Sequence, residues 1–218
     1  PYGWTSLMYA AKNGRDKVVE HLLAAKGIEV NLRSNGWTAL MLAADKGHYK
    51  VVEHLLAAKD IEVNLPTSDV WTALMYAAES GKTECVSALL AAGAKVNPKN
   101  NAGVTALMLA AEKGHVVSII ELLAYGADAK CLTQLQKTDF AAAITAGKRM
   151  YNDGWTSLMI AAYQGHDKVV EHLLAIGANV NLPNKSGNTA LMMAAHKGYE
   201  NILKQGGIVS QLIAYGAD

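Results

Sequence analysis

The chain has 218 residues, with 20 Lys+Arg against 19 Asp+Glu for a formal net charge of +1, and 51% of it is apolar, with a single Phe. A balance this even, without long runs of like charge, does not favour nucleic acid or an anionic membrane surface as partner. No stretch approaches the roughly 18–20 continuous apolar residues of a membrane-spanning helix, and Pro1-Tyr2-Gly3-Trp4 lacks the charged and apolar regions of a secretory leader.

The first element begins at Thr5 and sets a pattern, Thr-Ser/Ala-Leu-Met-x-Ala-Ala-x-x-Gly, that recurs down the chain. Its anchor threonines, Thr5, Thr38, Thr72, Thr105, Thr138, Thr156 and Thr189, are spaced by 33, 34, 33, 33, 18 and 33 residues. A period near 33 indicates stacked repeats. Lys-Val-Val-Glu-His-Leu-Leu-Ala stands unchanged at 17–24, 50–57 and 168–175, so the units arose by duplication. Repeats that touch only their neighbours form one elongated domain. Its units span approximately residues 1–33, 34–66, 67–99, 100–132, an irregular 133–150, 151–183 and 184–218.

Within a unit, the second serves as the example. Thr38 is suited to cap a helix by accepting from a free N–H of the opening turn, and Ala39-Leu40-Met41-Leu42-Ala43-Ala44 are good helix formers. Gly47 ends that helix in a left-handed conformation. From His48 to Ala58, Val51, Val52, Leu55 and Leu56 form the apolar face of a second helix. The stretch from Ile61 to Asp69 is rich in β-branched and turn residues, which predicts an extended finger that leads to the next unit.

Two units depart from this plan. Only nine residues separate Gly147 from Thr156, so the fifth unit lacks its second helix. One reading is a deletion that kinks the array between repeats 1–4 and 6–7. The other, preferred because uncovered apolar faces cost several kcal/mol, is a stretch missing from the sequence. In the seventh unit, 202–207 lengthens the path to Ile208, a tolerated surface insertion.

The segment Gly36-Trp37-Thr38-Ala39-Leu40-Met41-Leu42-Ala43-Ala44-Asp45-Lys46-Gly47-His48 resembles the ankyrin repeat signature, as Gly177-Ala178-Asn179-Val180-Asn181 resembles its later segment. The resemblance covers essentially the whole chain and implies an all-α ankyrin-repeat solenoid of helix-turn-helix units with extended β-finger loops. Two departures are systematic. Ser or Ala stands where the family has Pro, and Met8, Met41, Met75, Met108, Met159 and Met192 stand where it has His. The family's Thr–His hydrogen bond is therefore expected to be absent, with apolar packing between repeats instead.

No catalytic constellation is present, and no cofactor or metal is expected. His48, His115 and His166 follow the glycine between helices, a slot that the family fills with His for structural reasons. His21, His54 and His172 lie outward on the second helices without zinc-ligand spacing. Cys85 takes a slot held by Val18, Val51 and Val169 and should be buried and reduced, while Cys131 lies in a connector.

Binding remains. The resemblance implies that a protein or peptide partner meets the finger tips and the concave surface of the first helices. Those slots hold Trp4, Tyr9, Asn35, Trp37, Leu42, Asp45, Asp69, Trp71, Tyr76, Glu79, Trp155 and Tyr163. All four tryptophans precede an anchor Thr, and Trp4, Trp37 and Trp71 are expected to form a stripe. Two alternatives are an aromatic cage for methylated lysine, using Asp45 or Glu79, and a structural spacer. The chain reads as a monomeric segment of a longer protein acting in the cytoplasm, or in a host cytosol if it is a secreted effector.

Overall fold

The computed structural model describes residues 3–129, 154–197 and 207–217. Among them twelve helices form six hairpins: α1 (Ser6–Lys12) with α2 (Asp16–Leu23), α3 (Ala39–Lys46) with α4 (Tyr49–Leu56), α5 (Ala73–Glu79) with α6 (Thr83–Ala91), α7 (Ala106–Lys113) with α8 (Val116–Ala124), α9 (Ser157–Gln164) with α10 (Asp167–Ala175), and α11 (Ala190–Lys197) with α12 (Ile208–Ala214). The odd-numbered helices stack in one layer and the even-numbered ones in a second.

The anchor threonines explain where each first helix starts. Thr5, Thr38, Thr72, Thr105 and Thr156 have extended backbones, and each Oγ1 accepts from the N–H of the methionine three residues on, at 3.1–3.4 Å. Each such cap stabilises its helix by about 1 kcal/mol. Gly47, Gly114 and Gly165 close α3, α7 and α9 at φ 75°, 75° and 80°, a region that costs glycine nothing.

The methionines lie between repeats. Met8, Met41, Met75, Met108 and Met159 are buried in one continuous core with the flanking leucines and alanines. Met192 departs from that expectation and is 50% exposed. So, at the other end, does Val18, whose counterparts Val51 and Val169 are buried. Among the described residues α1 and α11 have a first-helix neighbour on one side only, so the terminal units leave open what inner units cover.

Two polar devices fix the stacking register. His48 Nε2 lies 2.9 Å from the Lys12 carbonyl and His115 Nε2 3.0 Å from that of Glu79, each 36 residues back. Each ring packs across the preceding unit's glycine so closely that a Cβ on Gly14 or Gly81 would collide with it. This is the structural duty expected of that histidine slot. On the finger side, asparagine amides bridge successive units. Asn31 Nδ2 donates to the Asp60 carbonyl at 2.6 Å while its Oδ1 accepts from the Glu62 N–H at 3.0 Å. Asn64 repeats this with Gly93 and Lys95, and Asn97 with Gly126 and Asp128.

The same histidine device decides what happens at the short unit. His166 Nε2 lies 2.8 Å from the Glu112 carbonyl, at a separation of 54 residues instead of 36. The His166 ring crosses Gly114 as the His115 ring crosses Gly81. Helix α9 packs directly on α7, and α10 on α8. Repeat 6 therefore docks on repeat 4 as any repeat docks on its neighbour, with 18 extra residues between the two histidine contacts. This corrects the expectation of a kink with uncovered apolar faces, and it removes the reason for preferring a missing stretch. The irregular unit at 133–150, Cys131, and most of the insertion at 202–207 lie outside the described residues.

The fingers are turns held by side chains, and among the described residues the one bridge is Ser34 to Trp37. Asn100 Oδ1 accepts from the N–H groups of Ala102 and Val104, and Asn184 Oδ1 from those of Ser186 and Asn188, at 2.9–3.0 Å. In the third finger, which is one residue longer, Thr67 Oγ1 accepts from the Trp71 N–H at 3.1 Å. Glycine occupies the corresponding corner of the other described fingers, but here Val70 sits at φ 60°, a conformation that β-branched residues rarely adopt.

Candidate partner-binding face

The finger's return and the cap threonine place each aromatic slot residue at the entrance of its first helix. The ring can then lie against the fourth and seventh residues after the threonine. In repeat 1 these are Tyr9 and Lys12: the Trp4 and Tyr9 rings are 5.3 Å apart at 52°, and Lys12 Nζ stands 4.6 Å from the Trp4 ring centre. Tyr9 is 57% exposed.

In repeat 3 the fourth residue is Tyr76, and it reaches across the repeat border. Its ring lies 4.2 Å from that of Trp37 at 30° and 5.0 Å from that of Trp71 at 32°. Tyr76 thus stands between two tryptophans of neighbouring repeats, and all three remain half-buried at the surface. Leu42 holds the same slot in repeat 2 but is only 5% exposed. It belongs to the core, a correction to its assignment as a contact residue, because an aliphatic side chain in this slot packs into the continuous cluster of leucines, methionines and alanines. The expected stripe is therefore two clusters, Trp4–Tyr9–Lys12 and Trp37–Tyr76–Trp71.

Trp155 needs the same correction. It is 6% exposed and part of the core. Repeat 6 carries Tyr163 seven residues after its threonine, where repeats 1 to 3 carry Lys12, Asp45 and Glu79. The Tyr163 ring meets Trp155 edge-on at 5.3 Å and 89°, and Lys197 Nζ lies 4.3 Å from the Tyr163 ring centre. An aromatic lid covers Trp155, and an ammonium lies on the lid.

Charge on this face is concentrated around Tyr76. Burial pushes the Tyr76 phenol above the usual range, a hydrogen bond with Thr67 opposes this, and the negative charges of Asp45, Asp69 and Glu79 push it up further. Asp45 accepts from Ser80 Oγ at 3.1 Å and pairs with Lys46 Nζ at 2.9 Å. Asp69 is exposed at the finger tip, where its carbonyl accepts from the Asn101 N–H at 3.1 Å. Asn35, at the tip of the second finger, is exposed with φ 51°.

Sequence reasoning missed one feature of the finger side. An open cleft of about 590 Å³ lies between the second and third fingers, lined by Ile28, Val30, Leu32, Leu65, Arg33 and the acidic Glu29, Asp60 and Glu62. The signal for it was the Ile-Glu-Val-Asn-Leu run, repeated at 28–32 and 61–65. Among the described residues no group of three His, Cys, Asp or Glu is placed to hold a metal ion, and no helix is long and apolar enough to cross a membrane. Cys85 is buried as expected, and burial, then Glu84, push its thiol up to about 11 against the opposing effect of Lys82.

A family model described as ankyrin repeats matches the chain in three copies, over residues 1–67, 61–133 and 129–218. A comparison with curated proteins finds no match.

Proposed function

The chain belongs to the ankyrin repeat family, whose repeats are generally protein–protein interaction modules and typically non-enzymatic, and we propose that it captures a protein or peptide on the first-helix and finger face of repeats 1–3. The observation that carries this reading is the Trp37–Tyr76–Trp71 stack, three large rings in mutual contact across a repeat border and left half-exposed at the surface. Trp and Tyr in such settings contribute about 2 kcal/mol or more each when they anchor a partner. Trp4, Tyr9 and Asn35 extend the face toward repeat 1, and Tyr163 continues it beyond repeat 4.

The methyl-lysine cage is disfavoured by the same geometry. A cage surrounds its cation with rings, whereas here Tyr76 itself fills the space between Trp37 and Trp71. A pure spacer leaves the aromatic clusters without a role. No cofactor or catalysis enters this reading, the compartment we assign is the cytoplasm (or a host cytosol on delivery there), and a buried, reduced Cys85 accords with it.

The test is to pan a random dodecapeptide library on the full chain and rebind the selected clones to two variants. One is Trp37→Ala with Trp71→Ala. The other is Val117→Lys with Ile120→Glu, which converts exposed outer-face residues of α8 to the Lys and Glu found in sibling repeats. Clones are expected to lose at least about tenfold in affinity on the first variant and to keep it on the second. Clones that ignore the tryptophans, or that depend on Val117 and Ile120, refute the proposal.

A further inference from the structure

On the opposite side of the array, the outer faces of the second helices are charged in repeats 1, 2 and 6. Their second residue is Lys17, Lys50 or Lys168, and their fifth is Glu20, Glu53 or Glu171. Helix α8 of repeat 4 holds Val117 and Ile120 in those two positions. Tyr125 closes its Leu-Leu-Ala-x run, where repeats 1–3 have Ala25, Ala58 and Ala92. Val117, Ile120 and Tyr125 are 57%, 42% and 48% exposed, and Ile176, in the slot of Tyr125 on the adjacent α10, is 51% exposed. Residues three and eight apart share one side of a helix, so these side chains form a single outward stripe. A contiguous apolar stripe on a surface marks a contact site, whereas a lone exposed side chain does not.

The flanks of the stripe complement each other in charge and in size. Glu84, Val117 and Lys168 are the second residues of the nine-residue helices α6, α8 and α10, which pack side by side in one layer. An exposed anion therefore stands on one side of Val117 and an exposed cation on the other. At the height of Tyr125 the same flanks end in the small Ala92 and the large Ile176.

We propose that this stripe is the interface between two copies of the chain, related by a twofold axis parallel to α8. Such an axis sets residues of equal height against each other and exchanges the flanks. Val117, Ile120 and Tyr125 then meet their own counterparts, Glu84 faces Lys168 of the second copy, and Ile176 faces Ala92. An axis across the helices turns α6 to α6 and α10 to α10, so the two charges never meet. Lys168 pairs with Glu171 of its own helix at 2.9 Å, but both are largely exposed, and a pair of that kind is readily exchanged. An isologous contact closes at two copies and does not propagate. The first helices form the other layer of each copy, so a dimer presents two binding faces at once, and a partner with two sites gains avidity without any new contact. The dimer itself does not depend on that binding face.

Interfaces at the small end of the size range associate weakly, so the test is sedimentation equilibrium on the full chain from about 5 to about 300 µM. The mass is expected to rise from monomer toward dimer over that range. Val117→Lys with Ile120→Glu, the residues of the sibling helices, is expected to stay monomeric with unchanged circular dichroism. Glu84→Lys is expected to weaken the dimer at least about tenfold, and Glu84→Lys with Lys168→Glu to restore it. Trp37→Ala with Trp71→Ala is expected to dimerise as the parent does, which separates this proposal from the binding face. A dimer that survives Val117→Lys with Ile120→Glu, or a charge exchange that restores nothing, overturns the proposal. So does the monomer expected from the sequence. The face then belongs to residues 130–153 if a chain with that stretch replaced by a short finger dimerises, and to a different protein if it does not.

Discussion

Repeat 6 docks on repeat 4 through His166 and through α9 on α7 and α10 on α8, and replacing residues 130–153 therefore tests that stacking directly. In the perturbed chain, 130–153 is exchanged for Asn-Pro-Lys-Asn-Asn-Ala, the sequence of 97–102, which joins Ala129 to Gly154 by a finger of regular length. The exchange brings the His166 to Glu112 separation from 54 to the regular 36. By the logarithmic loop-closure relation, at about 0.6 kcal/mol per halving, shortening the connection from 24 residues to six lowers the entropic cost by about 1.2 kcal/mol. The caps, the Met108 and Met159 packing and the His166 contact are all retained. Urea unfolding followed by helical circular dichroism is expected to show one transition, at the same or slightly higher midpoint. A loss above about 2 kcal/mol, or a second transition that releases repeats 6 and 7 separately, would refute direct docking, since a nearest-neighbour array is stable only as far as its interfaces are.

Val70→Gly is expected to stabilise the chain. Left-handed backbone costs a side-chain-bearing residue about 1–2 kcal/mol, and the greater freedom of glycine in the unfolded chain returns about 0.4–1 kcal/mol of that, so a gain of about 0.5–1 kcal/mol should appear in the urea midpoint, and any loss contradicts the strain assigned to φ 60°. Cys85 gives a pH prediction. Its thiol is raised from 9.0 to about 11, so the folded chain holds the proton longer than the unfolded one. Its contribution is intact below pH 9 and is lost as the pH climbs toward 11, by an amount on the order of 2 kcal/mol. Cys85→Val, the residue of the sibling slots Val51 and Val169, should remove that component from the difference between melts at pH 8 and pH 10.5, and parallel losses in both proteins would disprove it.

What was legible in the sequence is what local chemistry decides. A threonine that caps, a methionine three residues on, and a glycine in a left-handed corner act within one helical turn, and among the described residues they appear where the pattern placed them, apart from the exposed Met192 of the terminal repeat. The aromatic slot was legible as a slot, but the fate of each ring was not. That fate depends on residues four and seven places on and on the next repeat. Tyr76 leaves Trp37 and Trp71 half-exposed between repeats, Tyr163 closes over Trp155, and Leu42 packs into the core. The direct docking of repeat 6 on repeat 4 was hidden for a related reason. A regular spacing predicts contacts only while it continues, and the His166 to Glu112 contact spans 54 residues. Even there a signal existed, since His166 follows its glycine in the register of His48 and His115.

Tyr76 belongs to the third repeat, yet its ring is flanked by Trp37 of the second and Trp71 of its own. The unit copied in duplication is thus not the unit that recognises a partner. Gain or loss of a single 33-residue copy between Trp37 and Tyr76 conserves every cap, every core methionine and the stacking, so selection on stability alone would let it pass. The aromatic ledge would nonetheless be dismantled or displaced by one step. An array of this kind is free to change length at its ends and is held to a fixed order in its middle, and lineages carrying this ledge should show that asymmetry in their repeat number.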